Sequence, residues 1–146
     1  LKPILEQLNP QDWIAKGAPD AYVRQWKATQ TELGYMAIST ENLTREPERL
    51  TFALDTYFRL QAFEAMLGSL AEGVQKYQNP ALASLMRAVV IENAGNRENL
   101  RRYLLQLAAV KEQEFQVVNG EAQRCRATIS VPSQPHPATE QKPERP

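Results

Sequence analysis

The chain is poor in the side chains that carry most enzyme chemistry. Its 146 residues include one histidine, His136, and one cysteine, Cys125. A single histidine excludes the paired histidines of helix-borne zinc sites and the Glu-x-x-His pairs of di-iron bundles. It also leaves any Ser–His–Asp or Cys–His nucleophile system without a histidine in the body of the chain. One cysteine excludes an intrachain disulfide framework, and the Cys-x-x-Cys-His haem attachment is missing. The six glycines are scattered, so there is neither a phosphate-cradling loop nor a dinucleotide fingerprint. An excess charge of either sign is lacking too. Lys plus Arg and Asp plus Glu both number 17, and no overall field draws the chain to nucleic acid or an anionic membrane. No apolar run approaches the ~18 residues of a spanning helix. These absences lead us to expect a soluble, non-enzymatic protein with no cofactor and no metal. Carboxylates such as Glu64 and Glu92 are what remains for acid–base work.

What the chain does have is helical period. From Leu50 to Tyr77, apolar or near-apolar side chains recur at Ala53, Thr56, Leu60, Phe63, Leu67, Leu70, Val74 and Tyr77. Steps of three and four are the seam of a long helix packed on another helix. Leu50, Leu54, Tyr57 and Phe58 widen the apolar arc at its start, so this helix is expected to lie between two neighbours. Before it, Tyr22, Trp26, Thr29, Leu33, Met36, Thr40 and Leu43 step the same way. After it comes a seam from Leu82 to Val117, through Met86, Val89, Asn93, Asn96, Leu100, Tyr103, Leu107, Val110 and Glu114. Gly95 sits between the two asparagines, yet the phase is kept across it, which favours one helix with a possible kink.

The punctuation sets the ends. Asn9-Pro10 opens a short helix carrying Trp13 and Ile14, and Gly17 suits its close. Asp20 stands at the start of the first long helix. Thr44, with Glu46 and Pro47 behind it, reads as the cap of the central helix. Asn79-Pro80 ends that helix and starts the next. Asn119-Gly120 is compatible with a hairpin turn, but the preceding period favours a helix fraying toward Arg126. Residues 132–146 hold five of the ten prolines and no large apolar side chain, the composition of an extended or disordered tail.

The expected fold is therefore all-α: an antiparallel bundle of three long helices plus a short N-terminal helix, with an extended Pro-rich C-terminal tail. The segments are an N-terminal segment over 1–18, the bundle over 19–128 and the tail over 129–146. Laid side by side at about 1.5 Å per residue, the helices give three layers: Leu33–Thr56–Tyr103, Thr29–Leu60–Leu100 and Trp26–Phe63–Asn96. The short helix with Trp13 is then the cover for the hairpin tip around Val74 to Leu85.

Two places stand out for function. The first is the Trp26, Phe63, Glu64, Asn93 and Asn96 level, an aromatic wall beside amides and a carboxylate, suited to a small polar ligand. A purely structural account is that an asparagine in a seam fixes register. The second lies beyond about Gln113, where the last helix outruns its neighbours while Phe115, Val117 and Val118 remain large and apolar, to be covered by another chain or by the tail folding back through Ile129 and Val131. Cys125, between Arg124 and Arg126, is placed to join an interchain contact there. Arg97, Arg101 and Arg102 form a local basic patch, but Glu98 is placed to pair with Arg102, and nucleic acid is not an expected partner. The reading is a helical scaffold or protein–protein interaction module that self-associates or joins a larger assembly, with ligand binding at the Trp26/Phe63/Asn96 level as the alternative. A first residue other than methionine is consistent with a removed export signal, so a periplasmic or extracellular location is the expectation.

Overall fold

The computed structural model describes residues 1–130, which form five helices and, among themselves, no strand. These are α1 (Lys2–Glu6), α2 (Pro10–Ala15), α3 (Ala21–Arg45), α4 (Leu50–Tyr77) and α5 (Pro80–Ile129). None is long and apolar enough to cross a membrane. The expected tail lies outside the described residues except for Ile129 and Ser130, and Ile129 is still helical. The chain divides into two units, Leu1–Val110 and Lys111–Pro146.

In the first unit the order of events at each turn follows local chemistry. Helix α1 was not foreseen, because five residues are too short to display a period. Proline in its first turn presets φ, and it delivers Leu5 and, just beyond, Leu8 to the core. Pro10 opens α2 after Asn9, whose side chain donates to Asp12 Oδ2 (2.6 Å) instead of closing the cap. Gly17 ends that turn at φ +88°, in the left-handed region where glycine meets no Cβ penalty. Asp20 takes the N-cap position of α3, although its side chain makes no cap bond.

The expected cap at Thr44 is overturned. Thr44 lies inside α3 and its hydroxyl donates to Thr40 O at 2.8 Å. The helix stops because Glu46 precedes Pro47: proline disfavours the α region for the residue before it, and Glu46 lies outside that region at φ −130°, ψ 71°. The turn thus falls over Glu46 to Arg49, and Arg49 is the N-cap of α4. This moves the register. Thr56 meets Ser39, donating to its carbonyl at 3.2 Å, rather than Leu33 as the layer argument had it. Arg59 reaches Glu32 at 3.0 Å. These pairs run in opposite order along the two helices, so α3 and α4 are antiparallel. Arg97–Glu64 and Arg87–Gln75 do the same for α4 and α5.

Six of the eight seam positions named for α4 are buried; Leu60 and Tyr77 are half-buried. Phe58, assigned to the second strip, is exposed instead. Around the C-terminal half of α4 lies the main core, with Leu5, Leu8, Trp13, Phe63, Leu67, Leu70, Val74 and Met86 all nearly inaccessible. Each such side chain contributes about 1.5–3 kcal/mol over its exposed state. Trp13 sits edge-on to Tyr22 (5.6 Å between centroids) and stacked on Tyr77 (6.5 Å). Its indole N–H donates to Gln78 Oε1 at 3.0 Å, while Gln78 Nε2 donates to Gln7 O at 3.0 Å. Gln78 thereby fastens α1 and α2 to the end of α4. The tyrosine and tryptophan rings come so close to Gly73 that a Cβ there would lie 2.8 Å from Tyr22 Cε1. A smaller cluster at the other end joins Ala53, Leu104 and Leu107, and the Tyr103 hydroxyl donates to Pro47 O.

Helix α5 passes through both glycine–asparagine sites without a break. Gly17 is the only described glycine at positive φ, so Gly95 and Gly120 are helical. The Asn93 side-chain amide donates to Val89 O, one turn back, at 2.8 Å.

Candidate functional site

The ligand-binding level is only partly assembled. Phe63, Glu64 and Asn93 meet at a cleft of about 90 Å³ that Leu60, Leu67 and Val90 also line. Trp26 is not there: its indole N–H donates to Leu5 O at 2.8 Å and ties α1 to α3. Asn96 faces outward and donates to Asn93 Oδ1 at 3.1 Å. The register explains the first departure, since α3 pairs with α4 further along its length than the layers assumed; Asn96 lies on α5, and its position is exposed. Glu92, the other carboxylate considered for acid–base work, is exposed.

Glu64 is the chemically distinct member of the cleft. Its side chain is only 10% exposed and Oε2 is paired with Arg97. Oε1 is buried with no hydrogen-bond partner, whereas buried polar atoms are almost always satisfied. The Arg97 partnership was missed from sequence because Arg97 belongs to a basic cluster and lies in a different helix. That cluster is dispersed. Arg97 turns to Glu64, Arg101 binds Glu98 at 2.9 Å, and Arg102 donates to Asn99 Oδ1 at 2.6 Å. Glu98 therefore pairs three residues on rather than four, both spacings being neighbours on a helix. The Arg101 hydrogen bond holds the Glu98 carboxyl below its ordinary pKa.

A second polar group links α3 to α4. The Ser39 hydroxyl donates to Asp55 Oδ2, and Arg59 bridges Asp55 on its own helix and Glu32 on α3, both at 3.0 Å. Ser39, and then Arg59, hold Asp55 below its usual carboxylate range. The Asp55–Arg59 pair was legible as an i,i+4 spacing. Glu72–Lys76 at the same spacing does not form, and Lys76 lies over the Tyr77 ring at 5.1 Å.

Along the second unit, no described residue from Lys111 on is buried. Phe115 is 71% exposed, Val118 63% and Ile129 84%. Val117 is also exposed, but two positions from Phe115 on a helix is about 200°, so the two do not share a face. All three residues of the patch expected from sequence are exposed. A different stripe is present: Phe115, Val118, Ala122, Cys125 and Ile129 step by three and four along one face. Cys125 is exposed and unpaired. The seam followed through Val110, Glu114 and Val117 hid this stripe, which begins one position later. Lys111 and Glu114 pair at 3.0 Å at its start.

Comparison with family models, curated proteins and solved structures gives no match to this chain, so the site stands on its own geometry.

Proposed function

We propose that this chain is a non-enzymatic helical scaffold whose three long helices form an antiparallel bundle and whose Phe115–Ile129 stripe binds a second copy. The observation that carries the reading is an exposed apolar stripe on a helix in which, among the described residues, none from Lys111 onward is buried. Asn119 and Gly120 lower the intrinsic helix propensity of this stretch. Most helical stability comes from packing an apolar face, and a partner supplies that here. The stripe suits a second copy in its sequence of sizes and charges. Glu112 and Glu114 lie beside Phe115, and Arg124 and Arg126 stand on either side of Cys125. An antiparallel copy sets these acidic residues beside the basic ones, with Phe115 facing Cys125 and Val118 facing Ala122, large against small, and Ile129 opposite Lys111.

Light scattering on the eluting protein over a range of concentrations tests this. The expected result is a dimer that dissociates on dilution. Phe115→Ser with Val118→Ser yields a monomer with unchanged helical spectrum below residue 110, while Val117→Ser leaves the dimer intact. A wild-type monomer at every concentration overturns the proposal.

A further inference from the structure

We infer that the Glu64 cleft binds a small, neutral, mainly apolar molecule through a hydroxyl group. The inference is independent of self-association, because every residue it uses lies in the first unit. Glu64 is nine-tenths buried and keeps one oxygen, Oε1, without a hydrogen-bond donor. A carboxylate oxygen in this position accepts strongly from any donor brought to it. Its charge is already balanced, since Oε2 is paired with the Arg97 guanidinium. An ammonium ligand would leave a net buried positive charge, which is costly. A neutral O–H adds the missing bond and no charge.

Asn93 supplies the complementary group. One amide hydrogen goes to Val89 O and its oxygen accepts from Asn96. An amide carries two hydrogens, so a second remains for an acceptor. A hydroxyl is both donor and acceptor, and it matches Glu64 Oε1 and Asn93 Nδ2 together. The rest of the lining used here, Leu60, Phe63, Leu67 and Val90, is apolar and takes the body of the molecule. The volume of about 90 Å³ is several times the ~10–15 Å³ that one water needs and suits a single small ring or short chain.

The test compares phenol with toluene, which replaces the hydroxyl by a methyl of similar size. Binding is followed by the NMR shifts of the Leu60, Leu67 and Val90 methyls in the full chain. Phenol is expected to move these signals saturably and to bind about ten- to a hundredfold more tightly than toluene, the range for one hydrogen bond to a charged acceptor. In Glu64→Leu the preference collapses to within about twofold, because the acceptor is gone while the apolar walls remain. Equal binding of the two probes by the wild-type protein overturns the inference. So does the absence of any saturable shift, which marks a cleft holding ordered water only. The wild-type comparison needs no variant, so it decides the matter even if Glu64→Leu does not fold. A dimer that fails to bind phenol refutes this site alone, and a phenol-binding monomer refutes the scaffold reading alone.

Discussion

The two parts of α5 carry apolar residues at the same spacing and fare oppositely. In Pro80–Val110, Ala83 and Met86 are fully buried and Leu104 and Leu107 nearly so; from Lys111 to Ile129 no residue is buried. Period reports that a face wants a partner. It does not report whether the partner is in the same chain. That is a matter of supply. Met86 and Ala83 have α4 and the α1–α2 cover, which bring Trp13, Leu5 and Leu8 into one core. Phe115 and Val118 have no counterpart among the described residues.

The largest expected effect breaks the closed part. Trp13→Ala removes a fully buried indole, its two aromatic contacts and its hydrogen bond to Gln78. A loss of about 3–5 kcal/mol is expected from a truncation of this size. Urea unfolding should show it as a lower midpoint that does not move with protein concentration. Loss of the stripe through Phe115→Ser should do the reverse, changing association far more than the stability of the first unit. A Trp13→Ala midpoint that rises with concentration would place the core partly between chains and erase the contrast.

A smaller effect comes from making one substitution in both regions. At Gly73 an added Cβ meets Tyr22 Cε1 at 2.8 Å and Trp13 Cζ3 at 2.9 Å, both in rings held by packing; at Gly120 nothing lies within 4 Å. Gly73→Ala therefore overpacks a filled site and costs about 1–3 kcal/mol. Gly120→Ala removes backbone freedom at an open helical position and stabilises by roughly 0.5–1 kcal/mol. Thermal melts of the pair should shift in opposite directions. The same sign for both would mean that the region around Gly120 is as closely packed as that around Gly73.

The same distinction governs what the sequence made legible. The long helices, their order and the burial of Phe63, Leu67, Leu70 and Val74 follow from period, because α4 is apolar enough to outweigh local preferences. The cover by Trp13 followed from the chain left over once the long helices were laid out. Register was not legible to within a turn. It rests on where one turn begins, and two signals competed there. Thr44 has the side chain of a cap, yet Pro47 acts on Glu46 through sterics that no side-chain bond offsets, and the helix runs on to Arg45. That shift sends Trp26 to Leu5 O and leaves Phe63, Glu64 and Asn93 as the part of the site that assembles. The Arg97–Glu64 pair was missed for another reason: it lies one position along each helix from the expected Phe63–Asn96 level, but Arg97 was read with Arg101 and Arg102 as a basic patch. The stripe of Phe115 to Ile129 could have been read from spacing alone, had the count restarted after Lys111.

The least effect is expected from acid, and it reads the closed part through Asp55. Ser39 donates to this carboxylate and Arg59 pairs with it, so its pKa in the folded chain lies below the ordinary 3.8. A depressed carboxylate contributes stability that is complete above its unfolded pKa and is lost as pH falls through its folded value. The window is therefore below about pH 4, with neutral pH unaffected. The side chain is 47% exposed, so solvent screens the link, and about 0.2–1 kcal/mol is the range for a pair of this kind. Asp55→Asn gives up that contribution at pH 7 and should lose less than the wild type on further acidification. The two proteins' urea midpoints then converge as pH drops from about 4 toward 2, since protonated Asp55 and asparagine are alike uncharged. Dimer dissociation measured alongside should show no difference between them, because Asp55 lies outside the stripe. Parallel midpoint curves for the two proteins would show that the Ser39–Asp55–Arg59 group does not hold α3 to α4 through its charge.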